Sequence, residues 1–391
     1  MRLRTLISVF LLLGLCEPLR AQQEAGRWNV SAFVGAGYMA HGPGQYQALA
    51  RTFSYPTADL RIGHQLVSDD PASYEMLYNF PNVGLGINWK GASHMGWVGQ
   101  SRLDDLFAIY GFFERNFIRT RKFSLGYDFS LGLAFNTSIY NAKTNPANVL
   151  FNSGVTFYLG PSMHVRFQPT RHMEFGLMGR FTHYSTGRMV YPNAGFNGID
   201  LMATARYSLD EPRYRDGKAP RDDSFKKHML YELYAGTGIH RCSLIFDTMG
   251  ECDPWPCYTY GANACYQYTK SLSSGVGVDV FAFTDSFIRT VAECEQKSYP
   301  TEDTASYEYH PVCFGISAIQ QVHYKNFTAW VQVGAYLYKH LGLHEQEGIT
   351  YQRFGGKITF PKLANMYLGV GCRCHHFSRA ACLDFMLGIR L

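Results

Sequence analysis

Charged side chains are scarce in this sequence: 36 lysines and arginines with 31 aspartates and glutamates make up 17% of 391 residues, where a soluble domain carries about 25%. The net charge of +5 is spread along the chain without a basic run, which speaks against nucleic acid as a partner. Beyond the N-terminus no segment approaches the roughly 18 to 20 continuous apolar residues of a membrane-crossing helix, so a helical membrane protein is not expected. Cysteine is missing from a long stretch. After Cys16 the nine others lie between Cys242 and Cys382. In an oxidising compartment some should pair, and Cys252 with Cys257 is the easiest closure, while the odd number leaves at least one free.

What is abundant is aromatic residues, 15%, and glycine, 38 residues, a composition that points to a β-rich, membrane-facing protein. Arg2 and Arg4 precede an apolar run from Leu6 to Leu15, and a short polar stretch ends at Ala21. That pattern reads as a secretory signal over 1–21. Cys16 raises the alternative of a lipoprotein signal, but Leu15 is too bulky for the small residue expected before the modified cysteine.

Alternation replaces helical periodicity. In KFSLGYDFSLGLAF, Phe123, Leu125, Tyr127, Phe129, Leu131, Leu133 and Phe135 share one face, and Ser124, Gly126, Asp128, Ser130 and Gly132 the other. The pattern returns at Leu201 to Tyr207, at Val276 to Ala282, and at Leu383 to Leu391, the last residue. Long strands with apolar-out, polar-in alternation are the mark of an all-β, antiparallel transmembrane β-barrel. A secreted β-sandwich also alternates, but strands this long favour closure, which removes edges.

About eight strands precede Leu209 and about eight follow His228, by the spacing of alternating runs and turn residues. The charged, Pro- and Gly-bearing stretch between them reads as an exposed connection. The organisation expected is therefore a first β half over 22–210, a connecting loop over 211–228, and a diverged second half over 229–391. A single barrel of roughly sixteen strands is favoured over two smaller ones. Duplication of an eight-stranded unit is hinted at by FIRT at Phe117 to Thr120 and Phe287 to Thr290, and by HYS at His183 echoed by HFS at His376. Glu114, Arg115, Arg166, Glu174 and Arg180 fall at inward or rim positions, where a barrel keeps solvated or paired charges.

The stretch RFTHYSTGRMVYPNAG interrupts this logic. Phe175, Leu177, Phe181, His183 and Ser185 share one strand face, so a histidine and a serine end an apolar stripe. Polar groups facing lipid belong at the interface or have work to do. Two residues apart on one face, imidazole and hydroxyl are close enough for the base to activate the nucleophile. The His-x-Ser triplet alone means little, since about one is expected by chance.

These residues resemble the lipid A 3-O-deacylases of Gram-negative outer membranes and the related acyloxyacyl hydrolase-like proteins. The likeness rests on His183, Ser185 and Gly187, followed by Pro192, Asn193 and Gly195, includes residues 110–136, and covers about residues 28–210, the second half matching only loosely. It implies an outer-membrane hydrolase that removes an ester-linked acyl chain from lipid A or a related glycolipid. Ser185 would be the nucleophile and His183 the base, on the outside of the barrel, with no cofactor. Two positions depart from the family pattern. Asn197 stands where an acidic residue orients the imidazole, and it can accept a hydrogen bond without offering charge. Thr186 replaces the usual Asn, leaving the backbone amides of Gly187 and Asn193 as oxyanion donors. Asp200 is another acid nearby, but strand parity turns it to the opposite face.

Other features are weaker. Cys372, Cys374, His375 and His376 form a tight cluster, yet a strand would send His375 the other way, so a compact metal site would need a break. His376 and Ser378 read as a degenerate copy of the site. Trp28, Trp89, Trp97 and Trp330 suit interfacial girdles. Asn29, Asn136 and Asn326 open glycosylation sequons that would be incidental in a bacterial barrel. The partners expected are the membrane, its glycolipid and, as a candidate, a second copy of the chain. The competing reading is a non-catalytic barrel acting as a channel, a lipid-binding wall or a structural protein.

Overall fold

A computed structural model describes residues 27–40, 50–97, 102–187, 189–190, 192–215, 217, 224–240, 255–284, 310–340, 348–377 and 379–391. The expected signal segment 1–21, Cys252, the second FIRT and Ser378 lie outside the described residues. Eight strands make the first half: β1 Arg27–Met39, β2 Ser54–Gln65, β3 Asn82–Lys90, β4 Leu106–Arg119, β5 Phe123–Phe135, β6 Val155–Phe167, β7 Met173–Ser185 and β8 Phe196–Ser208. Eight more make the second: β9 His228–His240, β10 Trp255–Thr269, β11 Leu272–Phe283, β12 Val312–Tyr324, β13 Phe327–Tyr338, β14 Thr350–Phe360, β15 Met366–His375 and β16 Arg379–Arg390. A four-residue helix, α1 Tyr74–Leu77, lies between β2 and β3.

The strands close twice. β1 pairs with β8 from Asn29↔Ser208 to Met39↔Gly198, and β9 pairs with β16 from Ile239↔Leu383 to Glu232↔Arg390, giving two separate eight-stranded antiparallel barrels. The single sixteen-stranded wall favoured by the sequence does not form. Alternation counts strands but does not say which edges meet, and the inward residues decide it: an eight-stranded ring is just wide enough for its own side chains to fill.

Large, mutually paired groups fill each ring. In the first barrel Arg180 lies 2.5 Å from Asp59, Arg61 3.1 Å from Asp128, and Lys90 2.5 Å from Asp200. Glu114 takes both Arg166 and Arg206, and Arg119 reaches Glu174. The second barrel repeats the plan, with Arg353 on Asp279 and with Lys357 and Arg390 sharing Glu232. Each ion loses its water, a cost that only well-made pairs and further hydrogen bonds offset, here supplied by Tyr110 to Asp59 and Tyr351 to Asp279. Arg115 alone of the five charges read from the sequence points outward, at the rim, stacked 4.5 Å from the Tyr78 ring centroid. These buried, paired side chains occupy the interiors of both rings.

Outside, Val34, Leu60, Ile62, Leu131, Leu177 and Leu201 are exposed in the first barrel, as are Val276, Val278 and Leu387 in the second. A soluble monomer rarely leaves so continuous an apolar band in water, whereas a lipid-facing wall requires one. Trp28 is exposed on this wall, and Trp89 donates its indole N–H to Asp105 at the rim. Trp97 instead packs against the buried cluster under the loops, and Trp330 lies inside the second barrel with Arg353 over its ring. Those two leave the expected girdle.

The two barrels touch at their short-turn ends. Tyr78 donates to the His323 carbonyl at 2.8 Å, Tyr74 to that of Lys270 at 3.2 Å, and Lys325 pairs with Glu75. The Tyr324 ring stands 5.2 Å from Phe113 and 5.3 Å from Tyr78. Cys257, the cysteine that the sequence would close onto Cys252, faces into the second barrel with its sulfur 2.7 Å from that of Cys382. They meet across Gly238 of β9, where any Cβ would lie 2.5 Å from the Cys382 sulfur.

Candidate active site

β7 carries the histidine and serine to the rim of the first barrel. Its parity is fixed from inside, where Tyr184 donates to Asn88 at 2.8 Å and Arg180 holds Asp59. The intervening Phe181, His183 and Ser185 therefore face outward, above the exposed Phe175 and Leu177. Cross-strand neighbours are set by the register. His183 lies opposite Leu159 on β6 and Asn197 on β8, and Ser185 opposite Phe157. Between Leu159 and Ser162 the β6–β7 ladder has no paired residues, next to Pro161, which has no N–H to give.

These three outward side chains form one line of hydrogen bonds. His183 Nδ1 is 2.6 Å from Asn197 Oδ1, and Nε2 is 2.8 Å from Ser185 Oγ. Because the amide oxygen accepts, Nδ1 carries the proton and Nε2 is left with a lone pair toward the hydroxyl. That is the tautomer a general base needs. The amide N–H of Gly187 approaches Ser185 Oγ at 3.3 Å, a donor beside the oxygen that would attack.

The loop after β7 is pinned. Thr186 donates its backbone N–H to Asn193 Oδ1 at 2.9 Å, so the visible work of the Asn193 side chain is to clasp the loop. Ala194 and Gly195 donate to the carbonyls of Val149 and Leu150 in the neighbouring long loop. Gly195 sits at φ +76°, and a Cβ there would come 2.9 Å from the Tyr184 carbonyl oxygen and 3.2 Å from His183 Cε1. Only glycine fits so close to the imidazole. That loop neighbour is itself held down: Asp104 accepts from Ser138 at 2.6 Å, from Thr137 and from Arg102, and these bonds, Ser138 first, hold its carboxyl below the ordinary value.

Asp200, the other acid near the histidine, points into the barrel between Tyr55 and Lys90 and is not available to His183. Of the cysteine and histidine cluster, Cys372 and Cys374 sit on β15, His375 turns inward to within 3.0 Å of the Tyr336 hydroxyl, and His376 leaves the strand at φ +53°. No compact ligand set results. Potential ligand groups do occur inside the barrels, at Glu114, Asp128 and His164 and at Cys257, Cys382 and Asp384, but Glu114 and Asp128 are already held by arginines.

Sequence reasoning named the outward line and missed its surroundings. Phe157 and Leu159, half-buried on β6, flank the serine and histidine; the alternation of β6 carries that signal. Leu383 of β16 also reaches the site: a Cβ on Gly187 would lie 3.4 Å from its Cβ and 3.9 Å from both methyl carbons. Nothing local in the sequence announces that contact.

Comparison with known proteins gives a consistent picture. A family model for lipid A 3-O-deacylase (PagL) matches residues 62–206, and one for the acyloxyacyl hydrolase C-terminal domain matches residues 229–391. No curated protein matches the chain. Among solved structures, the outer membrane enzyme PagL is 17% identical with a TM-score of 0.30, covering 45% of this chain and 97% of its own. Neisserial surface protein A is 13% identical with a TM-score of 0.28, covering 46% of this chain and 96% of its own. A Rh. blastica porin variant is 9% identical with a TM-score of 0.17, covering 93% of this chain. Two separate family matches, one within each closed barrel with its lipid-facing belt, make this an outer-membrane chain similar to the lipid A 3-O-deacylases over residues 62–206 and to the acyloxyacyl hydrolase C-terminal domain over residues 229–391.

Proposed function

We propose that this protein is a serine esterase that hydrolyses an ester-linked acyl chain of lipid A, or of a glycolipid of the same build, at the outer surface of the membrane. The observation that carries the reading is the 2.8 Å contact from His183 Nε2 to Ser185 Oγ on the outward-facing parity of β7, at the end of its lipid-facing stripe. Ser185 Oγ attacks the ester carbonyl carbon and its proton passes to His183 Nε2. The oxyanion is met by the amide N–H of Gly187, with that of Asn193 as the second donor. Collapse expels the sugar hydroxyl, which takes the proton from His183. Water, activated by the same imidazole, then releases the fatty acid from Ser185. Asn197 holds the Nδ1–H throughout. The exposed stripe of Phe175, Leu177 and Phe181 lets the membrane itself present the chain.

The test is covalent. A fluorophosphonate with a long alkyl tail should label Ser185, found by peptide mass spectrometry, and His183→Ala should slow labelling by at least a hundredfold. Labelling elsewhere, or none in correctly folded protein, would overturn the proposal.

A further inference from the structure

We infer that the second barrel is part of the acyl-binding site: the chain of the scissile ester lies in the seam between the barrels, and Leu383 of β16 forms its far wall. The inference rests on the reading of Ser185 as nucleophile and deepens it. Three observations support it. Gly187, whose amide faces Ser185 Oγ at 3.3 Å, is also the residue that meets Leu383, so the second barrel stands beside the reacting centre. Phe157 and Leu159 of β6, cross-strand neighbours of the serine and histidine, are also apolar and half-buried. Finally, Leu383 and Phe385 are only partly exposed, while Leu387 lower on the same outward face is open to lipid.

The occupant this chemistry fits is a fatty acyl chain. The apolar groups beside the nucleophile come from both barrels, Phe157 and Leu159 from β6 and Leu383 from β16. Contacts at the short-turn ends, from Tyr74, Tyr78 and Glu75 to Lys270, His323 and Lys325, join the two barrels at a second place. A Cβ at position 187 has ordinary van der Waals room against Leu383, so the wall touches the oxyanion glycine without crowding it. In this arrangement, one barrel supplies the reacting groups and the other sets how much chain is accepted.

The experiment compares ester chain lengths in the full-length protein in detergent micelles, using four-carbon and fourteen-carbon p-nitrophenyl esters. Leu383→Trp should lower kcat/KM for the long ester at least tenfold more than for the short one, since about one methylene in an apolar pocket is worth roughly tenfold or more. Leu383→Ala, which opens the wall without crowding the strand, should shift the same ratio severalfold and carries the test if the tryptophan variant does not insert. Leu387→Trp, away from the seam, should leave the ratio as in the wild type. Ratios for both Leu383 variants that match the wild type, with hydrolysis still abolished by Ser185→Ala, would overturn this inference alone. Hydrolysis that survives Ser185→Ala would overturn the nucleophile assignment and this inference with it.

Discussion

Asn197 offers the sharpest test of the proposed mechanism. It accepts the His183 Nδ1–H at 2.6 Å, the place where the family pattern has an acid. While His183 is neutral, an amide oxygen orients it nearly as well as a carboxylate. Once the ring takes the serine proton, a carboxylate also stabilises the positive charge. A hydrogen bond between charged groups is worth about 1 to 2 kcal/mol more than a neutral one. Asn197→Asp should therefore raise turnover by about five- to thirtyfold. Asn197→Leu, which frees the ring and leaves Nδ1 unpaired, should lower it by about tenfold to a hundredfold. The assay is fatty acid release from lipid A in micelles, with folding checked by the shift between unheated and heated samples on a denaturing gel. An aspartate variant that folds and is slower than the wild type would refute the claim that position 197 acts through the imidazole.

Three further outcomes are expected. Gly195→Ala puts a methyl 3.2 Å from His183 Cε1 at φ +76°; the barrel should fold, while a displaced ring costs about tenfold to a hundredfold in turnover. Cys257 and Cys382, buried side by side across Gly238, should pass their electrons to a protein disulfide of the oxidising compartment and resist alkylation until reduced, by mass spectrometry of unreduced protein; full alkylation of both without reductant would show that they stay thiols. The Asp104 carboxyl is held below its ordinary value by Ser138 and its neighbours, so its contribution to loop order is complete above the unfolded carboxyl pKa of about 3.9 and is lost as pH falls through the lower folded value. Hydrogen exchange in residues 136–154 should accelerate below that range in the wild type and do so at neutral pH in Asp104→Asn.

Much of the fold was legible because a lipid-facing strand repeats a simple rule. The alternation of Phe123 to Phe135 places apolar groups outward in the structure as in the sequence, and the same parity set His183, Ser185 and Asn197 on one outer face and turned Asp200 inward. The rule is local, and the failures were those of long-range pairing. Which strand closes on which depends on how side chains fill a ring, so the two closures at β1–β8 and β9–β16 could not be read from strand count. Trp330 falls at an inward position of the alternating β13, and its aromatic identity misled the girdle assignment. The meetings of Cys257 with Cys382 and of Gly187 with Leu383 join residues far apart in the chain, and the first depends on Gly238, whose missing side chain leaves room.

The central claim is that Ser185 opens an acyl ester of lipid A. Mass spectrometry of lipid A from outer membranes containing the wild-type protein, set beside membranes with equal amounts of folded Ser185→Ala, tests it directly. The account predicts lipid A short of one ester-linked acyl chain in the wild type only, with the matching free fatty acid. Fully acylated lipid A in both, or loss of the chain in both, would contradict it.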